Sequence, residues 1–360
     1  MTFVLVVIVV AQISLNLLDS KRSRASEPAV IAKPAASAAK KTFASAAKPA
    51  PEKERWAEIA HEGEDIAQTG DAKTALVFFR KALAQAELLG EDDIRLTASL
   101  RLVGREVISS HTNYEEGVRL LRREQDILVR KLGPDFPGRA FGLYWIGIGL
   151  NLLGKPDEAI VALNECLRIA PKGSVRNIDW KNQVYPEIAA AYRAQKKYKL
   201  AESMVRKNIA HVRRVDGDTN PQRIHALHYV LAELFYVQQK YAEAESELQT
   251  ALLMLEGKRW DTARDFVMDN NLYASVERDR GNLEHSLRLL NAIAVLERSR
   301  PDAIVDRQQF HLTLSDANKN LGKLQEAKYW ADLALRESNA NNHKDAIWRV
   351  KDLEQKLKVK

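Results

Sequence analysis

Leu153–Leu167, LGKPDEAIVALNECL, reads as the end of one helix, a tight turn at Gly154-Lys155 and the start of a second helix at Pro156. The pattern recurs. Related segments begin near Thr69 (TGDAKTALVFFRKAL), His111 (HTNYEEGVRLLRREQ), Gln195 (QKKYKLAESMVRKNI), Gln238 (QQKYAEAESELQTAL), Arg280 (RGNLEHSLRLLNAI) and Leu321 (LGKLQEAKYWADLAL). Each holds a small residue at the same place: Ala75, Gly117, Ala159, Ala201, Ala244, Ser286 and Ala327. The intervals between these markers are 42, 42, 42, 43, 42 and 41 residues. A fixed period of this length predicts a repeat solenoid, in which each unit buries its apolar face against its neighbours.

From Glu52 onward the apolar residues recur at period 3.6. Trp56, Ile59, Ala60, Gly63 and Ile66 line a first helix, and Ala75, Leu76, Phe79, Ala82 and Leu83 line its partner. Small residues at Gly63 and Ala75 let the two backbones approach, with Phe79 filling the space beside them. The third copy uses Gly147, Ala159, Leu163 and Cys166 in the same way and ends before Pro171. In the second copy Arg105 stands where a small residue is expected. Asn339 starts a break, after which His343–Leu357 reads as an amphipathic capping helix with Ala346, Ile347, Val350, Leu353 and Leu357 on its apolar stripe.

This combination of a small residue, a turn and Ala-x3-Phe/Leu-x2-Ala resembles the tetratricopeptide repeat. The 42-residue period and MDNNLYASVERDRG at Met268–Gly281 resemble the kinesin-light-chain variety. HEAT-type repeats have a similar period but fit the Ala-x3-Phe-x2-Ala spacing less well. The resemblance implies an all-α, right-handed α-α superhelix of about seven helix pairs over residues 52–340, closed by a capping helix over 341–360. It further implies that first helices line a concave groove that receives a peptide or protein segment. Carried over position by position, the groove residues are Tyr144, Ile148, Asn151, Gln183, Arg193, Tyr229, Glu233, Tyr236, Asn271, Ser275, Arg278, Asp316 and Lys319. Aromatic burial at Tyr229 and Tyr236 would supply affinity, and Asn271, Arg278 and Arg193 would orient the ligand.

The N-terminal region is of another kind. Thr2–Leu18, TFVLVVIVVAQISLNLL, is an apolar run long enough for a short membrane span, followed by Lys21, Arg22 and Arg24. Positive charge after the span predicts an uncleaved single-pass anchor over residues 1–19 with a cytoplasmic body. A cleaved signal peptide, with an exported or periplasmic body, is the competing reading. Of the 27 residues from Ala25 to Pro51, 22 are Ala, Lys, Pro or Ser, too little apolar surface to offset chain entropy. Residues 20–51 therefore read as a disordered tether.

Of the net charge of +7, residues 1–54 carry +4. No repeat has a basic stripe interleaved with aromatics, so no nucleic-acid partner is expected. The single cysteine, Cys166, falls on the buried face and reads as a small core residue. Gly149–Lys155, GLNLLGK, has the spacing of a phosphate-binding loop but continues with Pro156 and follows no strand. His225 and His228 lie on adjacent turns of one helix, and His311 takes the place of His228 two copies on. All three read as packing positions. No metal, cofactor or catalytic constellation is expected, and the chain reads as a non-catalytic scaffold. A structural subunit of a membrane complex and a small-molecule- or peptide-sensing regulator are the alternatives; the oligomeric state is left open.

Overall fold

The first helix of each repeat and its partner meet where both are smallest. All seven markers are buried: Ala75, Ala159, Ala201, Ala244 and Ala327 are 0% exposed, Ser286 2%, and Gly117 is also buried. A Cβ on Gly63 would sit 2.7 Å from the Phe79 ring, and one on Gly147 2.5 Å from Leu163. The side chain of the second helix fills the space that the missing Cβ leaves on the first.

The structure is a computed structural model that describes residues 52–91, 93–170, 179–216, 220–256, 262–337 and 343–358. The apolar run Thr2–Leu18, the tether to Pro51, Pro171 and the Asn339 break lie outside the described residues. Fifteen α-helices and no strand occur among the described residues: α1 (Glu52–Gln68), α2 (Ala72–Leu88), α3 (Ile94–Ser109), α4 (Tyr114–Leu132), α5 (Ala140–Leu152), α6 (Pro156–Ile169), α7 (Trp180–Ala194), α8 (Tyr198–Asp216), α9 (Pro221–Tyr236), α10 (Tyr241–Leu255), α11 (Ala263–Asp279), α12 (Leu283–Glu297), α13 (Arg307–Asn320), α14 (Leu324–Arg336) and α15 (His343–Lys358). None of these is long and apolar enough to cross a membrane.

The described residues form two compact units, divided between Asn208 and Ile209. In the first, consecutive helices from α1 to α7 pack on one another, and the first helices α3, α5 and α7 also touch in series. In the second, consecutive helices from α9 to α15 pack likewise, and α9 touches α11. Each unit has its own core. Phe79, Leu96, Leu100, Val103 and Ile127 form one cluster of the first unit, and Leu143, Leu163, Cys166, Val184 and Ile188 another. Val267, Leu287, Leu290, Ile293, Phe310 and Leu314 pack the second unit. Cys166 is fully buried and its thiol donates to the Ala140 carbonyl at 3.2 Å. Burial pushes that thiol up to about 12, so it behaves as a small apolar residue at neutral pH.

The tight turn within each pair depends on one residue in the left-handed region. In the third copy it is Gly154 (φ 69°), and Lys155 N–H then donates to the Leu150 carbonyl at 2.9 Å. That bond spans five residues and closes the helix end. This assigns Gly154-Lys155 to the helix turn. Three copies make the turn without glycine, at His111 (φ 56°), Lys196 (60°) and Gln239 (61°).

The second copy differs from the sequence expectation. Its small residue is Gly104, one place before Arg105, and a Cβ on Gly117 would lie 2.9 Å from the Gly104 carbonyl. Four residues, Ser110 to Asn113, separate α3 from α4, whereas three separate α1 from α2 and α5 from α6. The added turn residue moves the contact back by one and leaves Arg105 free to lie over the Phe79 ring at 5.8 Å. Helix α15 buries Ala346, Val350 and Leu353 against Ala327 and Ala331 of α14. Its other side is not wholly polar, since Trp348 is 61% exposed.

Candidate binding surface

The first helices carry polar side chains that reach from one repeat to the next. In the first unit, Asn151 at the end of α5 donates through Nδ2 to the Glu187 carbonyl of α7 at 3.0 Å, and its Oδ1 is buried without a hydrogen bond. Tyr144, on the same helix, is buried within the core. Its ring stands edge-on to Trp145 and Trp180, at 5.9 and 6.1 Å. Its hydroxyl approaches Gln183 only at 3.5 Å, and burial, with Glu187 nearby, holds the phenol well above its ordinary range. Ile148 and Arg193 are half-buried.

In the second unit, Tyr229 and Glu233 of α9 are each 8% exposed and both have an interaction partner. The affinity assigned to Tyr229 therefore has little surface left to draw on. Tyr236, one turn on from Glu233, is half-buried and donates to Asp279 of α11 at 2.8 Å. Arg278 Nε donates to the other oxygen of Asp279 at 2.9 Å, and its terminal nitrogen reaches the Tyr236 hydroxyl at 3.4 Å. Burial and the Asp279 hydrogen bond push the Tyr236 phenol up to about 12. Burial would raise the Asp279 carboxyl, but hydrogen bonds from Arg278 and Tyr236 outweigh it and hold the carboxyl below its usual range. Asn271 and Ser275 are half-buried on α11, with the Ser275 hydroxyl donating to the Asn271 carbonyl at 3.0 Å.

Two sequence-selected residues are tied to the C-terminal helix. Lys319 Nζ donates to Asp352 at 2.8 Å and lies 5.9 Å from the Trp348 ring. Asp316 accepts from Arg349. Together, the structure joins Tyr236 with Arg278 through Asp279, a residue that sequence reasoning passed over. Tyr236 and Asp279 lie 43 residues apart, close to the repeat period, so a scan for polar pairs at that separation would have found them.

The histidines pack in the helix interfaces. His225 is 3% exposed and its Nε2 lies 2.8 Å from Asp269 of α11. His228 turns instead to Glu247 of α10, with Nδ1 at 2.6 Å. The two rings therefore face different helices and different carboxylates. His311 is fully buried between Glu297 and Glu337, with Trp330 stacked on its ring at 5.5 Å. Sequence spacing gave no sign of that last grouping, because its members come from three helices.

No protein-family model matches the chain, and no curated protein does. Solved structures do. A tetratricopeptide repeat protein from Parabacteroides merdae superposes with a TM-score of 0.53 at 13% identity, covering 83% of this chain and 99% of that one. The chain has the tetratricopeptide-repeat fold. The apo form of RapI superposes at 0.52 with 13% identity, over 83% of this chain and 99% of that one. The APC/C hetero-tetramer Cut9–Hcn1 gives 0.51 at 12% identity, over 82% of this chain and 48% of the matched chain. At such identities the tetratricopeptide likeness is one of fold alone, and function has to be argued from the surface.

Proposed function

We propose that this tetratricopeptide-repeat chain is a non-catalytic scaffold that captures a peptide or protein segment on its first helices. Its N-terminal apolar segment holds it at a membrane, with the repeats on the cytoplasmic side. The observation that carries the binding reading is the Tyr236–Asp279–Arg278 set. It spans two adjacent first helices and combines an aromatic ring, a carboxylate and a guanidinium whose side chain is 45% exposed. An incoming carboxylate could take over the Arg278 guanidinium in bidentate fashion, while the Tyr236 ring supplies apolar contact. Asn271 and Lys319 lie on first helices of the same unit and extend the candidate surface. Asn151 and Arg193 serve the first unit in the same way.

The test is selection of binding peptides from a random library on the full chain, followed by titration against wild type and Arg278→Glu. Acidic peptides should dominate the selection and lose at least about tenfold in affinity for Arg278→Glu, about 1.4 kcal/mol. Peptides that bind both proteins equally would move the site off the first helices. Tyr229→Ala is a poor probe, because it removes a buried ring from the core.

A second reading is assembly through the C-terminal end as part of a larger complex. Trp348 on α15 and Tyr329 on α14 favour it, being 61% and 60% exposed. Size-exclusion chromatography with light scattering on Trp348→Ser would detect it as loss of a larger species.

A further inference from the structure

One group of possible metal-ligand side chains from three helices has its donor atoms within 4.8 Å of one another: Glu297, His311 and Glu337. Glu297 ends α12, His311 lies in the second turn of α13, and Glu337 caps α14. The His311 side chain is 0% exposed and Glu297 is 10% exposed. On one edge of the ring, Nε2 is 3.0 and 3.1 Å from the two oxygens of Glu297 and is hydrogen-bonded there. On the other edge, Nδ1 is 2.9 Å from Glu337 Oε2, yet neither atom has a hydrogen bond. The approach is close but off the hydrogen-bond axis.

That geometry calls for a cation. An imidazole that donates its Nε2 proton to Glu297 presents a bare lone pair at Nδ1. This lone pair faces an electron-rich carboxylate oxygen in a buried corner, where repulsion is little screened. A proton on Nδ1 would point past the oxygen. A metal ion needs no such collinearity: ligand atoms about 2.0–2.2 Å from zinc in a tetrahedral site lie roughly 3.3–3.6 Å apart, so the 2.9 Å pair would open by about half an ångström through movement of the partly exposed Glu337 side chain.

We propose that this corner binds a divalent transition-metal ion of the zinc type. His311 Nδ1 and Glu337 are its protein ligands, Glu297 holds the opposite ring nitrogen, and water completes the coordination. A carboxylate on the far ring nitrogen fixes the tautomer and strengthens the imidazole as a ligand. One imidazole nitrogen with carboxylate and water oxygens suits such an ion better than calcium or magnesium, which take oxygen alone. The Glu337 side chain is 22% exposed while its Oε2 and the His311 Nδ1 are themselves buried, so an ion and its waters enter as Glu337 swings outward.

Arg307 is a competing cation built into the fold. Its Nε donates to Glu297 at 2.8 Å and its terminal nitrogen forms an ion pair with Glu337 at 2.9 Å. Its side chain is 44% exposed, so it can withdraw into water when a dication takes over the carboxylates. The inference stands apart from the peptide-binding proposal and uses none of its residues.

The test is titration of the full chain, in mild detergent, with Co²⁺ alone, followed by displacement with Zn²⁺. Visible absorption reports Co²⁺ coordination, and helicity is checked by circular dichroism. One equivalent should bind. Glu337→Gln should weaken it by at least about tenfold, and Arg307→Ala should tighten it. His311→Gln should abolish it, but as a core substitution it can disturb folding, so the two partly exposed positions carry the decision. Absence of a Co²⁺ band in both wild type and Arg307→Ala would overturn the proposal. So would equal affinity in Glu337→Gln. Either result would leave the cluster as a charge-balanced ion-pair network.

Discussion

Replacing Lys196 or Gln239 by glycine should stabilise the protein, although neither substitution adds a contact. Both residues sit at helix–helix turns with φ near 60°, where four of the other five turns have glycine. Both side chains are exposed, and neither makes a hydrogen bond or ion pair. The left-handed conformation costs an L-residue about 1–2 kcal/mol. Glycine removes that strain but gives the unfolded chain more freedom, worth about 0.4–1 kcal/mol in the other direction. The net gain is therefore roughly 0.5–1 kcal/mol per turn. In a unit of this size it should raise the thermal midpoint by about 1–4 °C. Lys196 lies in the first unit and Gln239 in the second, so each variant should move a different transition where the two units melt separately. The same change at His111 should gain less, because its Nδ1 pairs with the Tyr114 hydroxyl at 2.8 Å. Gly154→Ala should move the midpoint the opposite way. Urea unfolding of the single variants, followed by circular dichroism, decides the matter. A fall in stability for both Lys196→Gly and Gln239→Gly would refute the reasoning, because turn strain would then not be what the other copies relieve with glycine.

Burial pushes Glu124 up to about 7 despite the neighbouring Arg101. Its folded-state pKa is thus raised above its ordinary 4.5, so its contribution to stability is present below about pH 4.5 and is lost as pH rises through about 7. The loss is on the order of 3 kcal/mol, and Glu124→Gln should flatten the slope between pH 5 and 8 in urea unfolding. Gly147→Ala should cost about 1–3 kcal/mol, since its Cβ would meet Leu163 at 2.5 Å and the first helix would have to back away; the midpoint of the first unit reports it. Tyr229→Ala should destabilise by about 3–5 kcal/mol through a cavity. Tyr236→Phe, which loses the bond to Asp279 and the longer one from Arg278, should cost about 1 kcal/mol. Calorimetry on the two tyrosine variants would separate a core position from a surface one, and near-equal losses would contradict the placement of both rings.

The seven markers and their neighbours were legible in the sequence because the contact that needs them is local. A first-helix residue and its marker are separated by one short turn, as with Gly63 and Ala75, so close approach and helical period both leave a trace in adjacent segments. The second copy was misplaced for the same reason. One extra turn residue shifts the contact to Gly104, and only the backbone path shows where that residue goes. Inter-repeat ion pairs were half-legible: Arg80–Glu116 and Arg122–Glu158 share a separation of 36 residues, which repeats as the fold does.

What the sequence by itself determined is an all-helical tetratricopeptide-type array, the place of its turns and the burial of Cys166. The tertiary structure alone decided which polar residues meet. Tyr229 and Glu233 share a helix face with Tyr236 by spacing, and Tyr144 takes the place of Tyr229 two copies earlier, yet packing against neighbouring helices buries these three and leaves Tyr236 half-open beside Asp279. Glu297, His311 and Glu337 converge only because the ends of α12 and α14 are brought to one turn of α13. Helical periodicity sets the direction of a side chain from its own axis, whereas the distance and tilt of the next axis depend on every side chain packed between them.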